Sequence, residues 1–265
     1  MGKLRFSGKW VLVTGASSGL GEEIARQLAQ KHRANLILLA RRKEKLEQLK
    51  AELEGQVKVK IIAADLNKLD EVDNALDEIL KHDLYAAVLN AGITYFGPHE
   101  ELEWDYFETM LQTNVVSTMR MTNGLVNYFE KSEKDGGLLI VSSMAAVIPI
   151  PYQAAYSGTK SFILSFATAL RHELKNKYFS ITVYTPGGIV SEMTAGEKFN
   201  DLRAWLMPVD EAANKAIKAF SERKHTYIPG FTNKLGGLVI RFLPKRFILG
   251  RMSKVYGKSL FKNRS

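Results

Sequence analysis

Short apolar runs alternate along most of this chain with longer segments of helical period and abundant charge. Six runs have the length and composition of buried strands: 10–13, 35–40, 57–63, 86–90, 138–142 and 181–185. Five segments between them have the period of helices: 22–32, 43–54, 69–81, 104–131 and 155–177. Because this alternation is typical of βαβ units, the sequence predicts an α/β domain built on a parallel sheet.

Composition excludes several classes of site. The chain has no cysteine, which excludes disulfides and cysteine nucleophiles, and its five histidines lack metal-ligand spacing, so no metal site is predicted. No stretch approaches the ~18 uninterrupted apolar residues of a membrane-spanning helix, and the basic start lacks the apolar run of a signal peptide. We therefore expect a cytoplasmic protein, with membrane association as a further option discussed below.

A glycine-rich turn lies directly between the first predicted strand and the first predicted helix. Glycine permits the tight turn and the close backbone approach that a pyrophosphate requires, and the helix start favours negative charge. A glycine-rich turn that binds nothing is the alternative, but the position of this one predicts a dinucleotide site. The residues expected to contact the dinucleotide here are Gly15, Ser17, Ser18, Gly19, Leu20 and Gly21.

Two arginines follow the second predicted strand. Arg41 lies 20 residues after Gly21, where an NAD site would have an acidic residue for the ribose 2′-hydroxyl, and Arg42 comes next. Guanidinium groups suit the 2′-phosphate of NADP. The alternative is the solvated start of a charged helix. We take NADP(H) as the predicted cofactor.

Tyr156 and Lys160 stand at i and i+4, on one face of a predicted helix. A free tyrosine has a pKa near ~10 and is a poor acid or base at neutral pH. A nearby ammonium stabilises the phenolate and lowers that pKa. The pair therefore predicts an acid–base site, although the same spacing also arises by chance.

From about Lys9 to Thr194, these features together resemble the short-chain dehydrogenase/reductase family, in its compact subgroup. The glycine turn matches the family's TGxxxGxG motif, and Tyr156 with Lys160 matches its YxxxK motif. The remaining motifs follow in order: Asp65 with Leu66 at the adenine ring, Asn90, Ala91 and Gly92 at the end of the fourth strand, and Pro186, Gly187 and Ile189 at the nicotinamide carboxamide.

The resemblance implies a mechanism for carbonyl reduction. Tyr156 would donate a proton to the substrate oxygen while the nicotinamide delivers hydride, and Ser143 would stabilise the same oxygen. Ser143 lies 13 residues before Tyr156, the family spacing, which favours it over Ser142. Lys160 would bind the nicotinamide ribose and lower the tyrosine pKa. Asn114 would fix a water that links Lys160 to solvent.

The segment 191–208 is expected to form a mobile helical lid. The family threonine usually lies closer to the Pro-Gly pair than Thr194 does, so either Ser191 or Thr194 would contact the carboxamide. An apolar lid implies an apolar substrate, whereas the alternative is that the same side chains only pack on the core. The apolar lid residues are Phe199, Leu202, Trp205, Leu206 and Met207.

The positive charge is concentrated in the tail. Residues 223–265 contain 11 Lys or Arg and no Asp or Glu, whereas the other 222 residues carry 26 basic and 28 acidic groups. This distribution argues against a general nucleic-acid-binding domain. A basic amphipathic helix there would bind an anionic membrane surface, a second subunit or an acidic partner such as an acyl carrier protein. Its apolar positions are Leu235, Leu238, Val239 and Phe242, then Phe247, Ile248, Met252, Val255 and Tyr256.

The predicted fold is a doubly wound Rossmann domain with a parallel sheet of about seven strands and helices on both faces. Residues 1–222 would form this domain and 223–265 a basic extension. The resemblance implies a homodimer or homotetramer with helices 104–131 and 155–177 at the interface. The predicted function is NADPH-dependent reduction of an apolar, acyl or lipid-like carbonyl, or the reverse oxidation. The alternatives are an NADP-binding scaffold at a membrane and a sugar-nucleotide epimerase or dehydratase, a class of typically longer chains.

Overall fold

The computed structural model describes residues 2–230 and 244–262. Within them, a seven-stranded parallel sheet carries helices on both faces, which confirms the predicted fold class. The strands are β1 (Trp10–Thr14), β2 (Asn35–Ala40), β3 (Val59–Ala63), β4 (Leu84–Leu89), β5 (Gly136–Val141), β6 (Phe179–Tyr184) and β7 (Thr226–Tyr227). The helices are α1 (Gly19–His32), α2 (Lys43–Leu53), α3 (Leu69–Ile79), α4 (Trp104–Leu111), α5 (Ser117–Ser132), α6 (Ala154–Leu170), α7 (Val209–Ser221) and α8 (Lys245–Phe261).

The strand order is β3-β2-β1-β4-β5-β6-β7, and every neighbouring pair is parallel. The chain winds outward in one direction from β1 to β3 and in the other from β4 to β7. In such sheets the carboxyl ends of the strands open into a crevice where the winding direction reverses. Here that point lies between β1 and β4.

Two apolar layers hold the helices to the sheet. On one face, α1, α2 and α7 cover side chains such as Val11, Val13 and Leu36. On the other face, α3, α5 and α6 cover side chains such as Leu12 and Ile140. Successive residues of β1 thus point into opposite layers, and both layers are buried. This explains why its sequence is a continuous apolar run rather than an alternating one.

Two of the predicted helices differ from the observed elements. The segment 104–131 is interrupted by one π-helical turn, Gln112–Val116, between α4 and α5. The segment 155–177 is helical only to Leu170, because tertiary hydrogen bonds fix the residues that follow. The Asn176 side chain donates to the carbonyl oxygens of Phe129 (2.9 Å) and Lys134 (3.0 Å). The other predicted elements agree within three residues at each end.

The tail positions Leu235, Leu238, Val239 and Phe242 lie outside the described residues. The second half of the predicted tail helix is present as α8, but its apolar residues do not share one face as expected. Phe247 and Val255 are exposed, whereas Met252 and Tyr256 turn toward the body of the protein. Among residues 2–230 and 244–262, no helix has both the length and the apolar character needed to cross a bilayer.

Candidate active site

A cavity of about 810 Å³ opens at the carboxyl ends of the strands, over the β1–β4 switch point. The sequence-predicted site residues meet there, except for Gly21 and Asn114, which lie just behind its wall. Predicted residues that line the cavity are Gly15, Ser17, Ser18, Gly19, Leu20, Arg41, Arg42, Asp65, Leu66, Asn90, Ala91, Gly92, Ser143, Tyr156, Lys160, Pro186, Gly187 and Ile189.

The glycine turn forms one end of this cavity. Gly15 has a φ of +66°, and a Cβ atom on it would lie 2.9 Å from the Ala91 Cα atom. A Cβ atom on Gly21 would lie 2.3 Å from the Gly15 carbonyl oxygen, so the turn closes only if this position has no side chain. Helix α1 begins at Gly19, and the first N–H groups of a helix lack intrahelical partners. The turn therefore offers N–H donors and the positive end of a helix dipole to an anion.

The two arginines lie beside that turn. The Arg42 Nε and Nη2 atoms donate to the hydroxyl (3.3 Å) and the carbonyl oxygen (3.2 Å) of Ser17. The Arg42 Nη1 atom donates to Glu192 at the start of the lid, at 3.0 Å. Arg41 extends toward Asp65, with 4.0 Å between its Nη1 atom and the carboxylate. Sequence reasoning did not find Glu192, because its partner is 150 residues distant along the chain.

Ser143 and Tyr156 stand together on the cavity wall. Ser143 follows β5 and its hydroxyl accepts a hydrogen bond from the Ala145 N–H group at 3.1 Å, which fixes the turn. Burial raises the pKa of Tyr156, and the hydrogen bond with Ser143 opposes that shift. The hydroxyl of the neighbouring Ser142 is buried and already donates a hydrogen bond to the Lys160 carbonyl oxygen, at 2.9 Å. Ser143 is therefore the hydroxyl available to a ligand.

Lys160 lies one helical turn after Tyr156 on α6 and is 5% exposed. Its Nζ atom donates to the Val141 carbonyl oxygen at 3.2 Å and lies 5.8 Å from the Tyr156 ring centroid. Burial lowers the pKa of Lys160 to about 8, because the charged form loses its hydration. The ammonium is thus protonated at neutral pH, and its positive charge lies close to the phenol.

Asn114 lies in the π turn, a distortion that often marks functional sites. Its Nδ2 atom donates to the carbonyl oxygen of Ile93 (2.9 Å) and to the hydroxyl of Thr159 (3.1 Å), and its Oδ1 atom accepts from the Ile93 N–H group (2.8 Å). A Cβ atom built on Gly92 would lie 3.1 Å from Asn114 Oδ1 and 3.3 Å from Lys160 Nζ. Oδ1 and Nζ therefore both lie within 3.3 Å of the same point beside Gly92.

The lid consists of two 3₁₀ segments, Glu192–Thr194 and Glu197–Trp205. Thr194 holds the first segment together, because its hydroxyl donates to the Ile189 carbonyl oxygen at 2.7 Å and accepts from the Ser191 N–H group at 3.1 Å. Ser191 lies beside the glycine turn, where a Cβ atom on Gly19 would approach it to 3.2 Å. Both hydroxyl residues line the cavity.

Apart from the predicted nucleotide-binding residues, the cavity is lined mainly by apolar side chains, with the polar residues Thr94, Tyr106, Thr109, Thr113 and Gln153 among them. Four of the apolar lid residues line it, and Met207 does not. Met252 and Tyr256 of α8 also line it, whereas the sequence pattern had placed them on an apolar face for a membrane surface, a second subunit or an acidic partner. Their i, i+4 spacing shows that they share a helix face but gives no sign of what that face covers. We call the apolar part of this lining the apolar compartment; it consists of Ile93, Met144, Ile148, Ile150, Met193, Phe199, Leu202, Trp205, Leu206, Met252 and Tyr256.

Comparisons with known proteins identify the family of this chain. A family model described as short chain dehydrogenase matches residues 9–201. Human 17-beta-hydroxysteroid dehydrogenase type 3 is 32% identical over 195 residues, which cover 72% of this chain and 62% of that protein. The very-long-chain 3-oxoacyl-CoA reductase of Neurospora crassa is 37% identical over 177 residues, covering 64% and 53%. A short-chain dehydrogenase from Sphingobium yanoikuyae, solved in complex with NADPH, has a TM-score of 0.75 at 25% identity, covering 88% and 94%.

This chain belongs to the short chain dehydrogenase family, which confirms the resemblance found in its motifs. The matches span less than two thirds of the length of the two curated relatives.

Proposed function

We propose that this protein is an NADPH-dependent reductase that converts a ketone or aldehyde on an apolar skeleton to the alcohol. The observation that carries the proposal is the position of the Ser143–Tyr156–Lys160 group. It stands on the wall of one cavity that is also lined by the glycine turn, the two arginines and the apolar compartment. A nucleotide and an apolar carbonyl compound would meet at these three side chains.

The predicted nucleotide-binding residues of the cavity fit a nicotinamide dinucleotide. The glycine turn and the start of α1 would hold the pyrophosphate, Asp65 would lie at the adenine, and Lys160 would hold the nicotinamide ribose. When bound, the reduced nicotinamide supplies the hydride. Preference for NADPH rests on Arg42 at the cavity edge. Its Nε and Nη2 atoms donate to Ser17 and its Nη1 atom donates to Glu192. A guanidinium group in this position suits a 2′-phosphate.

The chain itself supplies the proton chemistry. Tyr156 donates its hydroxyl proton to the substrate oxygen, and Ser143 donates a hydrogen bond to the same oxygen as negative charge develops there. The Lys160 ammonium stabilises the resulting phenolate by charge and prepares it to regain a proton. Asn114 acts as a positioning residue, because it ties the strand end at Ile93 to α6 at Thr159 and presents Oδ1 beside Lys160 Nζ.

The apolar compartment supports an acyl chain or another lipid-like skeleton as the substrate class. It consists of aliphatic, aromatic and methionine side chains, which suit an apolar skeleton, and the polar side chains that also line the cavity, such as Thr94 and Gln153, could orient a polar group on it. One relative is by name a hydroxysteroid dehydrogenase and another a very-long-chain 3-oxoacyl-CoA reductase. Both names denote carbonyl or hydroxyl chemistry on an extended apolar skeleton.

The oligomer expected from the sequence is part of the same proposal. Helices α4 and α6, at the expected subunit interface, expose the large apolar side chains Trp104 and Phe162. We expect a second copy of the chain to cover these two side chains. Light scattering on the purified protein would give a dimer or tetramer mass, and a monomer mass would contradict this part of the proposal.

The test is NADPH oxidation against a panel of 3-oxoacyl thioesters, long-chain aldehydes, steroid ketones and small quinones. Three proteins are compared: wild type, Tyr156→Phe, and Tyr178→Phe as a matched control that removes the hydroxyl of an exposed tyrosine outside the cavity. Loss of a general acid lowers turnover by about 10²–10⁴-fold. We expect that loss in Tyr156→Phe alone, with NADPH binding retained.

Two results would overturn the proposal. Turnover that survives Tyr156→Phe would exclude this side chain as the proton donor. Tight NADPH binding without turnover on any class of carbonyl would favour the scaffold alternative.

A further inference from the structure

Helix α8 has two faces with different surroundings. Its inner face closes the apolar compartment: Met252 and Tyr256 line the cavity, and Leu260 is buried against Phe96 and Leu202. The Ser259 hydroxyl donates to the Lys198 carbonyl oxygen at 2.7 Å, which fixes the helix to the lid. The orientation of α8 about its own axis is therefore determined by packing.

This orientation leaves an outer stripe exposed. We define the basic stripe as Phe247, Arg251, Lys254, Val255 and Lys258, which repeat at i, i+4, i+7, i+8 and i+11 and all face solvent. Arg251 lies over the Phe247 ring, with 5.5 Å between its Cζ atom and the ring centroid. Among the described residues, none of the three stripe cations forms an ion pair, and α8 contains no acidic residue.

The lid on which α8 packs also exposes large apolar side chains. Trp205 and Met193 line the cavity and are nevertheless 69% and 45% exposed, so they lie at its rim. Phe247 is 58% exposed. Tryptophan prefers the interface between water and lipid, and cations interleaved with apolar side chains suit an anionic lipid surface. An acidic carrier protein would complement the cations but would leave the exposed tryptophan and phenylalanine unexplained.

We propose that the basic stripe of α8 and the exposed Trp205 bind the surface of an anionic lipid bilayer, with the mouth of the cavity against the lipid. Charge complementarity provides the attraction, and Phe247, Val255 and Trp205 enter the headgroup region. The surface is separate from the acid–base group, so this binding does not depend on the proposed reaction. If the substrate is lipid-like, it would enter the cavity directly from the bilayer.

The first test is sedimentation of the full chain with vesicles of phosphatidylcholine alone or of equal parts phosphatidylcholine and phosphatidylserine. The test variant is Arg251→Gln/Lys254→Gln/Lys258→Gln. The control variant, Lys43→Gln/Lys45→Gln/Lys50→Gln, removes the same charge from α2, where lysines alternate with glutamates. Each cation near an anionic surface contributes about fivefold in affinity, so we expect the test variant to bind on the order of 100-fold more weakly. The control should bind as wild type does.

A second measurement locates the contact independently of charge. In a Trp10→Phe/Trp104→Phe protein, Trp205 is the single tryptophan, and its emission should shift to the blue when anionic vesicles are added. NADPH binding and the thermal unfolding midpoint of each variant verify that it is folded.

Four outcomes would overturn the proposal: no sedimentation of wild type with anionic vesicles, equal sedimentation with neutral ones, undiminished binding by the test variant, or sedimentation without a Trp205 shift. A protein that binds an acidic carrier protein but does not sediment with anionic vesicles would likewise overturn it.

Discussion

The ion pair between Arg42 and Glu192 connects the proposed 2′-phosphate site to the lid. The carboxylate of Glu192 accepts from Arg42 Nη1 at 3.0 Å, and both side chains are substantially exposed. A phosphate that binds Arg42 must compete with this carboxylate and also meets its negative charge. Replacing Glu192 by Gln should therefore strengthen binding of NADPH but not of NADH, which lacks the 2′-phosphate.

The magnitude follows from the exposure of the pair. Exposed ion pairs contribute about 0.2–1 kcal/mol, so release of Arg42 should lower the Kd for NADPH by a factor of roughly 1.5 to 5. The Kd for NADH should remain within error of the wild-type value. The effect should diminish at high salt, because solvent ions screen exposed charges.

The assay is titration of each protein with NADPH and NADH, followed by the fluorescence of the bound dihydronicotinamide at low ionic strength. Glu197→Gln is the matched control, since it removes the same charge from the same lid without a contact to Arg42. In an Arg42→Gln background, Glu192→Gln should have no further effect on the NADPH Kd. An unchanged or higher Kd for NADPH in Glu192→Gln, or an equal gain for NADH, would refute the competition.

Three further predictions follow from the geometry. Because burial places the pKa of Lys160 at about 8, its ammonium loses a proton as pH rises through that value. The kcat/KM for NADPH, which reports the free enzyme, should therefore fall above pH 8, and a flat profile up to pH 10 would contradict the role of the charge. Gly21→Ala should abolish NADPH binding in a fluorescence titration, because its Cβ atom would lie 2.3 Å from the Gly15 carbonyl oxygen; wild-type affinity would show that the turn adapts. Phe129 is fully buried, and its ring is stacked on that of Phe179 with 4.5 Å between the centroids. Phe129→Ala should therefore lower the free energy of unfolding, measured by denaturant titration, by about 3–5 kcal/mol. A loss below about 1 kcal/mol would mean that the core refills the space.

The sequence alone determined the features that depend on near neighbours in the chain. The glycine turn is predictable because strand, turn and helix adjoin within a dozen residues, and the reason for glycine is local backbone geometry. Tyr156 and Lys160 are one helical turn apart, so the period of the helix brings them together. The parallel sheet follows from the alternation of buried runs with helical segments. Seven strands are present among the described residues. The last of them, β7, is only two residues long, which is too short to show the sequence pattern of a strand.

Only the tertiary structure decided which distant groups meet. The π turn at Asn114 is stabilised by hydrogen bonds to Ile93 and Thr159, which are 21 and 45 residues away. Helical period predicts that Met252 and Tyr256 share a face, but an apolar face looks the same whether it covers a membrane or a cavity. Packing of α8 on the lid resolves this, because burial depends on which surface is opposite and not on the order of residues in the chain.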